Sequence, residues 1–306
     1  MNNILISVVG PTAIGKTKLG ILLANHFKTE IISADSRQFF KEMNIGTAVP
    51  DKEELAQAKH HFIQHKSVLE TYTVGDFERE ALQKLSHLFE KHKVVIMVGG
   101  SGLYVNAITD GLNIFPTVDP NIRKQLNAEL ENSGISSLQA KLKELDPTYY
   151  SKVDTNNPQR VIRALEVSIG SGTPYSSFVN QPKEKRNFNV LTIGLKAERP
   201  MIYDRINKRV DLMIDNGLLE EAKNMLSFKN LNALQTVGYK ELFKYFEGDW
   251  TLDFAVSEIK KNTRRFAKRQ LTWFLRNKNT IWVNYDYEPK KLLNEIDDEI
   301  KKLKHG

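Results

Sequence analysis

Eight residues near the amino end, GPTAIGKT (10–17), set two glycines, a lysine and a hydroxyl at the spacing G-x-x-x-x-G-K-T. That pattern suits a loop that holds phosphate groups. Gly10 and Gly15 can turn backbone N–H groups toward an anion, and a helix starting behind them adds the positive end of its dipole. Lys16 would neutralise the outer phosphate, and the Thr17 hydroxyl would hold Mg2+. A nucleotide hydrolase built on such a loop usually has an apolar strand ending in Asp, which helps to hold the metal. Here VVIMV (94–98) runs instead into Gly99, Gly100, Ser101 and Gly102. The acid stands elsewhere, as Asp35 in IISADSRQ (31–38). A carboxylate directly after a strand lies at the carboxyl edge of the sheet, where open α/β sheets bind ligands. Asp35 has a second reading as the cap of a helix starting near Ser36, since Asp is a favoured cap.

These groups need elements to position them. ILISVV (4–9) is a short β-branched apolar run, as expected of a buried parallel strand, and KLGILLANHF (18–27) has helical spacing. Further strands are expected at EIISAD (30–35), KVVIMVGG (93–100), NVLTIGLK (189–196) and TIWVN (280–284), and a helix at DFEREALQKLSHLFEKH (76–92). Alternation of this kind predicts a mostly parallel, doubly wound sheet. From about 114 to 185 the pattern turns to helices and loops, opened by Pro116 and Pro120 and closed by the polar NQPKEKRN (180–187). The expected organisation is a core of 1–113 and 186–306, with 114–185 inserted as a small helical domain over the carboxyl edge of the sheet.

Composition narrows the class. The chain has 306 residues, 41% of them apolar, enough for one large core and a smaller insertion. No apolar run approaches the ~20 residues of a membrane span. The amino end enters a strand almost at once, against a signal peptide. There is no cysteine, which removes disulfides and cysteine-based zinc sites. A cytoplasmic enzyme, monomeric and without membrane contact, is expected. Lys and Arg number 44 against 37 Asp and Glu, a net +7, and the pI is about 9.2, which points weakly to a polyanionic partner. Lys260, Lys261, Arg264, Arg265, Lys268, Arg269, Arg276 and Lys278 gather around Phe266, Trp273 and Phe274. This is either a backbone-binding helix or a solvated helix whose aromatics enter the core.

Seven blocks carry a resemblance: GPTAIGKT, ADSRQ with MNIGTA (43–48), HHF (60–62), GGSGLYVNAITDGL (99–112), NPQRVIRALEV (157–167), VGYKE (237–241) and TRRFAKRQLTWF (263–274). In this order, over nearly the whole chain, they resemble the bacterial tRNA dimethylallyltransferases, also called tRNA isopentenyltransferases. The resemblance implies a P-loop NTPase-like α/β fold. It implies transfer of a dimethylallyl group from dimethylallyl diphosphate to the exocyclic amine of the adenosine 3′ of the anticodon, in tRNAs reading codons that begin with U. The loop, with Gly10, Pro11, Thr12, Ala13, Ile14, Gly15, Lys16 and Thr17, would then hold a prenyl diphosphate whose diphosphate leaves. Bottom-up chemistry agrees, because N–H groups, Lys16 and a Thr17-bound Mg2+ would stabilise charge on departing pyrophosphate.

Carried over residue by residue, Asp35 is the general base and Thr17 the loop hydroxyl near the bridging oxygen. Arg209, at the end of RINKR (205–209), is the candidate diphosphate-binding arginine, with a second reading as a solvated charge on a helix face. Contacts to the tRNA anticodon stem-loop fall on Asp35, Ser36, Arg37, Gln38, Ser101 (usually Thr in the family), Arg123 and Gln159, Arg160, Val161, Ile162 and Arg163. An adenine stacked in the loop must be extruded to reach a buried site. After HHF the family commonly has an aspartate near the place where this chain reads Ile63-Gln64. His60 and His61 read as a structural polar cluster, and no spacing argues for a protein-only metal site. Two other classes compete: a phosphoryl-transfer enzyme with a helical lid, using the same loop and Mg2+, and a nonenzymatic RNA-binding protein. The second explains the charge but not Asp35, Lys16 and Thr17 together.

Overall fold

The computed structural model describes residues 3–179 and 181–305. The chain divides into two compact units, Met1–Asp110 with Arg186–Gly306, and Gly111–Lys185. The larger unit opens with β1 (Ile4–Val9), α1 (Lys16–Phe27), β2 (Ile31–Ser33), α2 (Lys52–Gln57), β3 (His60–His61), α3 (Val74–Lys91), β4 (Val94–Val98) and α4 (Gly102–Thr109). The smaller unit holds α5 (Pro120–Ser133), α6 (Ile135–Leu145), α7 (Pro147–Tyr150), α8 (Pro158–Ser171) and α9 (Ser176–Val179). The larger unit resumes with β5 (Asn189–Lys196), α10 (Arg199–Asp215), α11 (Leu218–Asn224), α12 (Tyr239–Phe246), α13 (Leu252–Phe274), β6 (Ile281–Asn284) and α14 (Pro289–His305). No helix among the described residues is long and apolar enough to cross a membrane.

The strands form one sheet in the order β3-β2-β4-β1-β5-β6, and every pairing among the described residues is parallel. Successive side chains of a strand point to opposite faces, and the burial follows that rule. Ile4, Ile6 and Val8 enter a core with residues of α1, α10 and α14, whereas Leu5 and Val9 enter another with residues of α3, α4 and α12. Helices thus cover both faces, the doubly wound α/β arrangement, and the central strands are apolar along their length for that reason. The expected 30–35 and 93–100 strands are shorter, Ile31–Ser33 and Val94–Val98, because the chain turns away at Ala34 and Gly99 to form the ligand edge. β3 has no signature in the sequence. It is two residues long, and only pairing of His60 with Ile31 and His61 with Ile32 defines it.

Register sets the edge. Val8 pairs with Val98, and Val98 with Ser33, so the turns after β1, β4 and β2 leave the sheet side by side. They can approach because of glycine: a Cβ on Gly99 would stand 2.5 Å from the Ala34 carbonyl oxygen, and one on Gly10 2.8 Å from that of Leu195. The helical unit has its own core of Leu126, Leu138, Leu142, Val161, Ile162, Ala164 and Leu165. Asn157 starts α8 by accepting from the Arg160 N–H with its side chain.

Candidate active site

The loop after β1 takes three positive-φ turns in six residues, Gly10 (144°), Ala13 (63°) and Gly15 (104°). Ala13 pays the usual ~1–2 kcal/mol for a side chain in this region. Gly15 precedes α1 without any side-chain cap, so the first N–H groups of α1 are left for an anion. The loop is braced from the far end of the chain. Gln270 of α13 accepts the Thr12 N–H at 2.8 Å and donates its amide to the Gly100 carbonyl at 2.8 Å, tying the β1 and β4 turns together. Arg205 donates to the Ala13 carbonyl at 2.7 Å, and Arg209, one turn later on α10, reaches the Thr12 hydroxyl at 3.4 Å.

A cavity of about 500 Å³ opens above the loop, and Thr12, Lys16, Thr17, Asp35, Gln38 and Arg209 are among its lining residues. Lys16 donates to the Pro11 carbonyl at 2.8 Å. Burial pushes its pKa down to about 8, with Asp35 opposing and Arg209 reinforcing that shift. Burial also lowers Arg209 from its ordinary value, partly offset by Glu54. An arginine stays protonated nonetheless, so two cations are held in a poorly solvated pocket that a polyanion would neutralise.

Asp35 does not cap a helix. Residues 36–39 form turns, because Asp35 Oδ1 accepts the Arg37 N–H at 3.0 Å, a local turn bond that Asp makes readily. Ser36 and Ser101 join the β2 and β4 turns: the Ser101 hydroxyl accepts the Ser36 N–H and donates to its hydroxyl, both at 3.0 Å. Arg37 turns its guanidinium to the carbonyls of Asn232 and Ala233, each at 2.9 Å. Gln38 donates its amide to the Thr47 and Ala48 carbonyls.

His61 bonds Glu30 at 2.5 Å beside Lys59, a structural cluster. His60 behaves differently: its Nδ1 donates to the Ala58 carbonyl at 2.8 Å and the residue lines the cavity, next to Ile63. Gln64, where the family pattern departs, has φ of 48° and reaches Lys41 and Asn44 at 3.3–3.4 Å.

In the helical unit, Arg123 grips Glu166 with two bonds of 2.8 and 3.2 Å. Arg163 adds a third at 3.1 Å and lies over the Phe115 ring. The two guanidinium groups hold the Glu166 carboxyl below its usual range against the opposing effect of burial. Gln159 and Arg160 are exposed. Val161 and Ile162 are both fully buried and anchor α8, so the exposed side chains of this segment are those of Gln159 and Arg160. In the basic stretch, Ala267, Gln270 and Phe274 are buried and Phe266 is 39% exposed. Lys260 pairs with Asp211, Lys261 with Glu258, and Arg264 with Asn207.

Two groups were missed. Arg205 was legible, since it stands four residues before Arg209 and so shares its helix face. Gln270 was not, because nothing local distinguishes it within TRRFAKRQLTWF.

Among the described residues no group of three His, Asp or Glu side chains could hold a metal unaided. Thr17 lines the cavity, and a hydroxyl suits Mg2+, which takes oxygen ligands and often only one or two from the protein when phosphates supply the rest.

Comparison with known proteins gives a consistent picture. A family model described as IPP transferase matches residues 38–278. The chain is 63% identical over 300 residues to a tRNA dimethylallyltransferase of Christiangramia forsetii, covering 98% of this chain and 99% of that one. It is 59% identical over 303 residues to that of Flavobacterium johnsoniae, covering 97% and 98%. Among solved structures it is similar to the tRNA isopentenylpyrophosphate transferase of Bacillus halodurans, with TM-score 0.74, 36% identity and all of both chains covered. A eukaryotic dimethylallyltransferase acting on tRNA aligns with TM-score 0.79 and 26% identity over 92% of this chain and 74% of that one.

Proposed function

The chain belongs to the IPP transferase family, and we infer from this that it transfers a dimethylallyl group to tRNA in the cavity above the glycine loop. The donor is dimethylallyl diphosphate, and the acceptor is the exocyclic amine of the adenosine 3′ of the anticodon, in tRNAs that read codons beginning with U. One observation carries this reading: a carboxylate, Asp35, and a phosphate loop with Lys16, Thr17 and Arg209 line the same cavity at the carboxyl edge of the sheet. A phosphate loop alone would serve many reactions.

The residues divide the work. The loop N–H groups, Lys16 and Arg209 bind the diphosphate and take up the charge that grows on it as its bond to the prenyl carbon breaks. The adenine nitrogen forms the new bond to that carbon, and Asp35 accepts the proton the amine gives up. Bound Mg2+, held by Thr17 and the diphosphate, would supply further charge neutralisation. Extrusion of the base into a pocket is required, since a stacked adenine does not present its amine. Arg123, Gln159, Arg160 and Arg163 of the helical unit contact the RNA. The deciding assay incubates the protein with unmodified tRNA and either labelled dimethylallyl diphosphate or labelled ATP. Label in RNA from the prenyl donor is expected; label from ATP alone would refute the reading.

Two smaller effects follow. Thr17→Ala is expected to keep the fold and bind dimethylallyl diphosphate about tenfold more weakly in Mg2+. Calorimetric titration with and without the metal checks this, and a variant whose response to Mg2+ matches wild type would remove Thr17 as a ligand. Arg160→Ala and Arg163→Ala are each expected to raise the KM for tRNA and to flatten the salt slope of RNA binding by about 0.7–0.9. Arg163→Ala also frees one side of Glu166. Wild-type slopes in both variants would make α8 purely structural.

A further inference from the structure

Gln38 lines the cavity, and its amide orientation depends on a loop held from elsewhere. Glu221 of α11 accepts the N–H groups of Asn44 at 3.0 Å, Ile45 at 2.8 Å and Gly46 at 2.9 Å, and the Tyr239 hydroxyl donates to it at 2.6 Å. A carboxylate has about four acceptor positions, so the Glu221 head is fully engaged. Gly46 permits the fit, since a Cβ there would stand 2.6 Å from the Tyr239 ring. The loop then closes on itself, with the Ala48 N–H on the Ile45 carbonyl at 3.0 Å and the Val49 N–H on the Asn44 carbonyl at 3.2 Å. This leaves the Thr47 and Ala48 carbonyls turned to Gln38, which donates Nε2 to them at 3.3 and 2.9 Å.

The consequence is chemical. With its N–H groups spent on the loop, Gln38 keeps Oε1 as an acceptor, and the Ser33 hydroxyl uses one side of it at 3.3 Å. We infer that Glu221 is a positioning residue for the acceptor substrate: it locks the 44–49 loop, and through it the Gln38 amide, with the carbonyl oxygen kept for an N–H donor of the incoming base. This rests on the reading that the cavity receives an adenosine. The diphosphate side of the cavity is built from the glycine loop and α10, which Glu221 does not touch.

The test uses the full chain with dimethylallyl diphosphate and unmodified tRNA, comparing wild type, Glu221→Gln, Gln38→Ala and the double variant. Glu221→Gln puts an NH2 against backbone N–H groups. It is expected to lower kcat/KM for tRNA by about 10- to 100-fold, while the KM for dimethylallyl diphosphate moves less than twofold. Residues acting through one another give non-additive effects, so the double variant should fall within about threefold of the worse single variant. Wild-type behaviour of Glu221→Gln, losses that multiply in the double variant, or an equal rise in both Michaelis constants would each overturn the inference. Should Glu221→Gln not fold, Tyr239→Phe, which removes only the 2.6 Å bond, must show the same split to a smaller degree. Wild-type protein that moves no label from dimethylallyl diphosphate into tRNA would overturn the functional reading as well. Active wild type with no split sinks the Glu221 inference alone.

Discussion

Asp35→Asn is expected to slow the chemical step by about 100- to 10,000-fold, the range for loss of a positioned general base, while leaving the fold intact. The amine of adenine is a weak nucleophile because its lone pair is delocalised into the ring, so proton loss during attack lowers the barrier. The surroundings of Asp35 suit the base role proposed for it. Its Oδ1 is held by the Arg37 N–H at 3.0 Å, which leaves Oδ2 for the substrate. Asparagine can keep the Arg37 bond through its own carbonyl oxygen, so the turn after β2 survives. It then presents an NH2 donor where an acceptor is needed. The measurement is single-turnover transfer with both substrates saturating, beside a tRNA-binding titration and a melting curve. A drop of less than tenfold would remove Asp35 as the base. A large drop matched by an equal loss of tRNA affinity would make it an RNA-positioning residue instead.

How much of this arrangement the sequence discloses depends on the range of the interactions that make it. β1 and β5 match their expected bounds, because a strand buried on both faces must be apolar along its length and β-branched residues fit it. The site follows as far as it is local: a glycine loop needs only its own residues to bend, and an acid after a strand is carried to the edge by topology alone. The rest is made by partners distant in the chain. Gln270 stands 258 residues from Thr12, and Glu221 stands 175–177 residues from the N–H groups it binds. Such groups leave no periodicity. Val161 and Ile162 show a limit of another kind. A motif quoted as a block carries all its residues together, but a helix sends them to different faces, and an apolar pair within QRVIR belongs to the core side.

The same distinction bears on Lys16, whose place in the motif was legible but whose acidity was not. An ordinary lysine titrates near 10.4, whereas burial, with Arg209 adding to it against Asp35, brings Lys16 down to about 8. The protonated form is the one that binds an anion. The sign follows: kcat/KM for dimethylallyl diphosphate should be flat with respect to this group below pH about 8 and fall as pH rises through that value. In the bound complex the diphosphate favours the charged lysine, so the limb in kcat should lie at higher pH. Lys16→Met is expected to lose about 100- to 1,000-fold in rate at pH 7, the usual effect of removing one preorganised donor from developing negative charge, and to lose the alkaline limb. Lys16→Arg separates charge from shape: a guanidinium stays protonated across the range, so the variant should keep part of the activity and also lack the limb. An alkaline limb that persists unchanged in both variants belongs to another group, and a Lys16→Met enzyme within tenfold of wild type would mean that the loop N–H groups and Arg209 carry the leaving diphosphate without it.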